Sequence, residues 1–220
     1  MKSIANNTIY IMQKFSWILV VLILVFGWTS PVLMLIAFMC MIGPIIFSFS
    51  YGRAWCGNFC PRGSLSSSVL SIISPKKKIP KLFKNIWFRI LVIILIMLLF
   101  AYGLSQPHGS LTCLGSVFIK MMAITTIIQI CLAVLIHPYA WCTFCPMGTI
   151  SNCIIRTKKG GSDNIKISDK CISCKACTKN CPAQVDIPNW RTKGEILDAD
   201  CMKCRKCIKH CPSNCLQYIE

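Results

Sequence analysis

Long runs of apolar residues dominate the first two-thirds of the chain. Four runs extend over about Ile9–Trp28, Pro31–Phe49, Ile86–Leu104 and Val117–Tyr139. Each is close to the roughly 20 residues that a helix needs to cross about 30 Å of hydrocarbon. The pattern therefore predicts four transmembrane helices in a membrane domain of residues 1–155. A signal peptide is the alternative for the first run, but no cleavage site follows it and a second run begins at once.

The remaining third is polar and rich in cysteine. Residues 156–168 contain lysine, glycine and the first acidic residue, Asp163, a composition typical of a linker. We expect this linker to be cytoplasmic. Residues 169–220 form a small polar segment, and nine of the 17 cysteines lie between Cys171 and Cys215. We therefore expect a separate C-terminal domain.

Charge separates the same two parts. The 220 residues are 55% hydrophobic and include 24 Lys+Arg but only 7 Asp+Glu, for a net charge of +17. Such a charge suits nucleic-acid binding, but no recognition fold accompanies it, and we expect no nucleic-acid partner. Instead, thirteen of the fourteen cations before Asp163 fall on one side of a four-span arrangement, and Lys120 falls near the other. The positive-inside rule then places both termini in the cytoplasm, with the chain in a bacterial-type cytoplasmic membrane.

Ionisable side chains are few in the apolar part. Lys14, Arg89 and Lys120 lie near run ends, where long side chains can reach the membrane interface. No Asp or Glu precedes Asp163, which excludes a carboxylate-based proton pump or cation transporter there. His108 and His137 are the proton carriers that remain. Their predicted positions at opposite membrane faces also argue against a bis-histidine haem.

A motif occurs twice in the membrane part. Residues 54–65 and 140–150 share Ala-Trp-Cys, then two or three residues, then Cys-Pro-x-Gly. Each copy follows a pair of predicted spans, so the pattern predicts two parallel two-helix repeats. Both copies should lie at the cytoplasmic face, where their four cysteines can approach one another: Cys56, Cys60, Cys142 and Cys145.

Several kinds of site remain open for these four cysteines. Four thiolates can hold one iron–sulfur cluster, which would be a third iron–sulfur centre. They can also hold zinc or act as redox-active dithiols. The Cys-Pro pairs can alternatively be structural turns at helix ends. The run of lysines at residues 76–81 is interpreted as a topology determinant rather than as a site for anionic lipid or an acidic partner.

The strongest motif lies in the C-terminal part. The spacing Cys-x2-Cys-x2-Cys-x3-Cys-Pro begins at Cys171 and recurs thirty residues later at Cys201. This resembles a bacterial two-cluster ferredoxin of α+β structure with two 4Fe-4S clusters, with zinc as the alternative. The resemblance implies one cluster on Cys171, Cys174, Cys177 and Cys211, and a second on Cys201, Cys204, Cys207 and Cys181.

Cations and further cysteines lie among and beside these motifs. The cations among the ligands offset cluster charge, raise the cluster potential or steer an acidic partner: Lys175, Lys179, Lys203, Arg205, Lys206 and Lys209. The remaining five cysteines are interpreted as structural. Cys40 and Cys131 should be small core residues, and Cys113 lies in the outer loop. Cys153 and Cys215 flank the motifs and could alternatively be spare ligands.

From Trp55 to Pro212 the chain resembles the polyferredoxin-like membrane proteins that accompany periplasmic nitrate and nitrous-oxide reductases, and the iron–sulfur accessory proteins of cytochrome oxidase assembly. The resemblance implies a membrane-anchored electron-transfer protein. Its partners would be a cytoplasmic or quinol donor, the bilayer, and a membrane or extracytoplasmic acceptor carrying flavin or haem. The chain departs from the resemblance in its shorter second cysteine pair and in having no flavin-binding outer domain.

Two other functions remain open at this point. The thiols can reduce or deliver a metal ion during assembly of a partner metalloenzyme. The chain can also be the membrane anchor subunit of a larger redox complex. We expect no substrate chemistry in the chain itself, because it has no nucleophile–base arrangement and no nucleotide-binding fingerprint.

Overall fold

The structure, a computed structural model, describes residues 13–28, 30–105, 111–157 and 165–218. Its first part is helical throughout: α1 (Trp17–Phe26), α2 (Pro31–Tyr51), α3 (Ala54–Asn58), α4 (Pro61–Leu65), α5 (Ser71–Ile73), α6 (Lys81–Lys84), α7 (Ile86–Leu104), α8 (Leu111–Leu135), α9 (Ala140–Phe144) and α10 (Pro146–Thr157). A π-helical turn, Ser66–Leu70, joins α4 to α5. The last part contains β1 (Ile165–Ile167), α11 (Ala176–Lys179), a 3-10 helix (Ile187–Lys193), α12 (Lys206–Lys209) and β2 (Leu216–Tyr218).

Two helices in the described ranges are long and apolar enough to cross a membrane, not the four predicted. They are α7, with a mean hydropathy of 2.5, and residues Gly115–Leu135 of α8, with a mean hydropathy of 2.1. Helix α1 has only 10 residues, because a turn at Ser16 precedes it and Gly27 ends it. In α2 the apolar segment Leu35–Tyr51 is likewise shorter than a span, and Pro44 interrupts its hydrogen bonding.

Lys2, His108, Lys158 and Lys159 lie outside the described residues, as does the side chain of Cys113.

Each Cys-Pro pair lies between two helices, so it begins the second helix as well as ending the first. Cys60 and Cys145 are extended, with ψ of 119° and 135°, because a following proline disfavours helical geometry. Pro61 and Pro146 then occupy the first position of α4 and α10, where the missing N–H costs no hydrogen bond. Both copies therefore have the same order of helix, cysteine turn and helix.

The C-terminal part is built around a two-stranded antiparallel sheet. Ile165 pairs with Tyr218 and Ile167 with Leu216. Ile165 and Ile167 point into a small core because alternate strand residues face the same side. The rest of that core is apolar and includes cysteine: Cys177, Val185, Ile187, Ile196, Cys207 and Leu216.

Two cysteines predicted as core residues of the spans behave differently. Cys40 is half-buried on α2, whereas Cys131 is exposed on α8. The prediction is therefore wrong for Cys131, since a small side chain in an apolar run fits the outer face of a helix as well as its inner face. Cys153 is also exposed, on α10.

Candidate metal centres

The two C-terminal cysteine motifs share an unusual backbone. Ser173 and Lys175 flank Cys174 with φ of 53° and 58°, and Lys203 and Arg205 flank Cys204 with φ of 51° and 59°. Left-handed geometry is uncommon outside glycine and concentrates at functional sites. Such turns direct successive N–H groups to one side and form nests that bind anions, including iron–sulfur centres.

The cysteines of the motifs line two separate cavities. The first is lined by Cys171, Cys174, Cys177 and Cys211 together with Ile187, Leu216 and Cys215. The second is lined by Cys181, Cys201, Cys204 and Cys207 together with Ile165, Val185 and Ile196. Each cavity therefore gathers three cysteines of one motif and the fourth of the other. Four thiols in an apolar pocket suit a 4Fe-4S cluster.

Solvent reaches the two cavities differently. In the first cavity Cys174 is exposed, and its neighbour Ile172 is 68% exposed. None of the four cysteines in the second cavity is exposed, and Cys207 is buried. The first cavity therefore has one cysteine exposed to solvent, whereas the second has none.

Protonation of the thiols responds to this burial. Burial raises the pKa of Cys201 to about 12, although backbone hydrogen bonding opposes the rise. Burial also raises the pKa of Cys211, but hydrogen bonds from Cys215 and Ser213 outweigh it and lower the pKa below its ordinary value. A thiol must lose its proton to bind metal, so filling the second cavity releases protons.

Cys215 has a closer relation to the first cavity than the sequence indicated. Its Sγ lies 3.3 Å from Cys211 Sγ, and its side chain is buried in the cavity wall. Its counterpart in the first motif is Val185, which lines the second cavity. This equivalence favours a packing role for Cys215.

The four membrane-part cysteines also come together. Cys60, at the turn into α4, interacts electrostatically with Cys56, Cys142 and Cys145. Burial raises the pKa of Cys142 to about 12, with further increases from Cys145 and Cys56 and opposing effects from nearby arginines. The structure thus places both repeat motifs around one buried position, which we call the membrane thiol site: Cys56, Cys60, Cys142 and Cys145.

Two arginines, Arg53 and Arg62, face the membrane thiol site. Arg53 is 1% exposed and its Nη2 donates to the Cys142 carbonyl at 2.7 Å. Arg62 donates through Nε to Gln129 Oε1 at 3.0 Å and lies 5.1 Å from the centre of the Trp141 ring. The sequence offered them only as cytoplasmic-side cations, so their role at a site was missed.

Several N–H groups of the two repeat motifs and of these arginines lack a partner among the described residues. They are Arg53 Nε, Arg62 Nη2, Trp55 Nε1 and Trp141 Nε1, and all are buried. A buried donor left unpaired costs about 1–3 kcal/mol. An anionic iron–sulfur cluster on the four thiols would be attracted to the guanidinium groups of Arg53 and Arg62, whose charges already act on the Cys142 thiol. The residues present therefore fit a cluster.

A site for one metal ion needs a different ligand geometry from a site for a cluster. Within the described ranges, no three His, Cys, Asp or Glu side chains are arranged to hold one metal ion. One zinc ion needs four ligands about 2.3 Å from a single point, whereas the thiolates of a cluster bind separate irons.

The second cavity lies directly against the membrane thiol site. A Cβ built on Gly57 would lie 2.2 Å from the Met202 carbonyl oxygen and 3.1 Å from Cys204 Cβ. Tyr139, next to the second repeat motif, accepts a hydrogen bond from Lys206 Nζ at 3.0 Å. Of the six cations among the ligands, Lys203 and Lys206 thus face the membrane part, and Lys175, Lys179 and Lys209 are exposed.

Comparison with known proteins adds family evidence. The model of a 4Fe-4S binding domain matches residues 33–80 and again residues 118–161. The model of a 4Fe-4S dicluster domain matches residues 170–216.

Two uncharacterized proteins of Methanocaldococcus jannaschii are similar over about two-thirds of this chain. MJ0749 is 27% identical over 153 residues, which are 65% of this chain and 56% of the relative. MJ0750 is 28% identical over 158 residues, which are 65% of this chain and 64% of the relative. The matched region thus spans less than two thirds of either relative, and no solved structure matches. The domain matches support a polyferredoxin-like iron–sulfur protein.

Proposed function

We propose that this chain is a membrane-anchored iron–sulfur electron-transfer protein with three cluster sites. Two are the cavities of the C-terminal part, with the ligand sets implied by the ferredoxin resemblance, and the third is the membrane thiol site. A bound cluster supplies one-electron oxidation and reduction. The observation that carries the proposal is the contact of Gly57 with Met202 and Cys204, which brings the second cavity against a third set of four thiols.

The chain's own residues prepare each site. The left-handed residues on either side of Cys174 and Cys204 direct backbone N–H groups, and Ile165, Val185 and Ile196 give the second cavity apolar walls. At the membrane thiol site Arg53 and Arg62 supply positive charge. Buried positive charge stabilises the reduced, more negative form of a centre, so the site favours receiving electrons.

Anchoring by the bilayer is supported by exposed apolar side chains. Helix α7 carries a band of exposed leucine, isoleucine and methionine. Exposed apolar side chains also occur on α1 and α2, including Val25, Phe38 and Ile46. A patch of this size is unusual for a soluble surface and suits lipid. We therefore infer that α7 and α8 are inserted in the bilayer, and the double match of one family model supports an arrangement in two parallel repeats.

Electrons would come from a cytoplasmic partner at the first cavity. Ile172 and Cys174 are exposed there, and Lys170 and Lys175 are exposed beside them. An apolar centre with a basic rim suits a small acidic electron carrier. The acceptor would be a membrane or extracytoplasmic protein carrying flavin or haem, as the family resemblance implies.

Iron and acid-labile sulfide counts on the purified full chain test the proposal. Three 4Fe-4S clusters give about twelve irons per chain, and the two ferredoxin clusters alone give about eight. We expect Cys56→Ala and Cys142→Ala to lose about four irons each, and Cys153→Ala, an exposed cysteine elsewhere on the chain, to lose none. A count of about eight in the wild type would contradict the third site.

A further inference from the structure

Asp200 joins the C-terminal part to three separate elements of the membrane part. Arg89 donates to both of its oxygens, Nη1 to Oδ1 and Nη2 to Oδ2, each at 2.9 Å. Arg53 Nη1 donates to Oδ1 at 3.1 Å, and Asn152 Nδ2 donates to Oδ1 at 2.8 Å. Arg89 lies in α7, Asn152 in α10, and Arg53 between α2 and α3.

This cluster is buried. Arg53, Arg89 and Asn152 are at most 1% exposed, and Asp200 is 9% exposed. A buried charge is tolerated only when it is paired, so removing the carboxylate leaves two guanidinium groups uncompensated. Arg53 and Arg89 are therefore paired with a carboxylate only while the C-terminal part is bound to the membrane part.

Asp200 is tied closely to the second cavity. It directly precedes Cys201, and its backbone N–H donates to Asp198 Oδ1 at 2.8 Å. Its partner Arg53 also donates to the Cys142 carbonyl in the membrane thiol site. One arginine thus contacts both the cavity loop and the second repeat motif.

A second attachment holds the other ligand loop of the same cavity. Lys84 Nζ donates to the carbonyls of Ala183 and Gln184 at 2.9 and 3.0 Å. The Ile79 backbone N–H donates to Gln184 Oε1 at 2.9 Å. These residues follow Cys181, so both loops that line the second cavity are fastened to the membrane part.

We propose that Asp200 is a positioning residue that fixes the second cavity against the membrane thiol site, so that electrons pass between them within one chain. The inference rests on the proposed function. With clusters bound, each transfer would move one electron from a cluster in the second cavity to a cluster at the membrane thiol site, oxidising the first and reducing the second without breaking a bond. Asp200 contacts neither centre and acts through Arg53 and Arg89.

The first test is Asp200→Asn in the full-length, cluster-loaded protein, since asparagine keeps the volume and removes the charge. Iron content should stay at the wild-type value, because no proposed ligand changes. Magnetic coupling between the centres, measured by electron paramagnetic resonance, should weaken, and internal electron transfer should slow about tenfold or more. Asp186→Asn is the matched control, because Asp186 is an exposed carboxylate that bonds Asn189 in the same part of the chain.

The second test does not depend on clusters. A protease site placed between Gly160 and Gly161 allows the assembled protein to be cut into its two parts. The wild-type C-terminal piece should stay bound to the membrane part after cleavage, and the Asp200→Asn piece should dissociate. Asn152→Leu removes one donor and should weaken retention in the same direction.

The results of these tests distinguish the positioning role of Asp200 from the third cluster site of the proposed function. Wild-type retention of the cut Asp200→Asn piece, or unchanged internal transfer in Asp200→Asn with full iron, overturns the positioning role. A wild-type count of about eight irons overturns the third site of the proposed function, while the cleavage test still reports on Asp200.

Discussion

Gly57 lies so close to the Met202 backbone that there is no room for a side chain at position 57. A Cβ on Gly57 would stand 2.2 Å from the Met202 carbonyl oxygen, which is backbone and cannot swing away. Glycine between Cys56 and Cys60 therefore permits the first repeat motif to touch the loop that carries Cys204. This contact sets the separation of the membrane thiol site from the second cavity.

Gly57→Ala should push the two sites apart. We expect a loss of about 1–3 kcal/mol from overpacking, together with slower internal electron transfer at unchanged iron content. Thermal unfolding and internal transfer rates measure the two effects. Gly194→Ala is the control for loss of stability alone, because its Cβ meets nothing within 4 Å but its φ of +71° strains alanine, so it should lose stability without slower transfer. A wild-type transfer rate in Gly57→Ala would show that the contact is unimportant.

Crossed ligation makes a distinctive prediction for Cys181. Cys181 belongs to the first motif by sequence but lines the second cavity with Cys201, Cys204 and Cys207. Cys181→Ala should therefore perturb the same paramagnetic signal as Cys204→Ala, and not the signal lost in Cys174→Ala. Cys215→Ala should keep the full iron content, since we assign it a packing role. Matching signals for Cys181→Ala and Cys174→Ala would refute the crossing.

Charge reversal at the first cavity should slow its reduction. Lys170→Glu and Lys175→Glu should each lower the rate of reduction by a small acidic ferredoxin about threefold to tenfold at low ionic strength. The difference should shrink as salt is added, because salt screens exposed charges. Lys78→Glu, at an exposed lysine away from this cavity, is the control. Equal slowing by all three changes would argue against docking at the first cavity.

His137 should make stability depend on pH. Burial, with the charges of Lys76 and Lys84, lowers its pKa from 6.5 to about 4. The unfolded chain therefore binds a proton more readily, so the contribution is complete above pH 6.5 and is lost as pH falls from 6.5 towards 4. We expect a loss of up to about 2 kcal/mol.

His137→Asn should remove most of this dependence while its side-chain oxygen still accepts from the Tyr139 N–H, as His137 Nδ1 does now. Thermal midpoints of both proteins between pH 7.5 and 4.5 are the measurement. Parallel pH profiles would contradict the assignment to His137.

Cysteine spacing carried much of the site prediction, because a short loop with fixed spacing can present its thiols in few ways. The cavities gather the expected sets, including the exchange of Cys181 and Cys211. The ligand sets themselves stay a prediction, as do the domain boundaries. The ferredoxin-type domains are supported by family matches.

Tertiary pairing was not visible in the sequence. We expected Arg89 to extend to the membrane interface, yet it is fully buried and pairs with Asp200, 111 residues away. A cation near the end of an apolar run looks the same in either case, and Asp200 looks like an ordinary surface acid. The two membrane-length helices show a similar limit, since hydropathy runs do not reveal where Ser16 and Gly27 bound α1.

The exchange of cysteines between the two motifs also orders the maturation of the protein. The first cavity begins at Cys171 but is completed only by Cys211, and the second needs Cys181 as well as Cys207. A ribosome that has just made the first motif has therefore completed neither cavity. On the ligand sets that we propose, cluster insertion would wait until both motifs have left the ribosome, because a nascent chain that stops between Cys181 and Cys201 lacks both four-cysteine pockets.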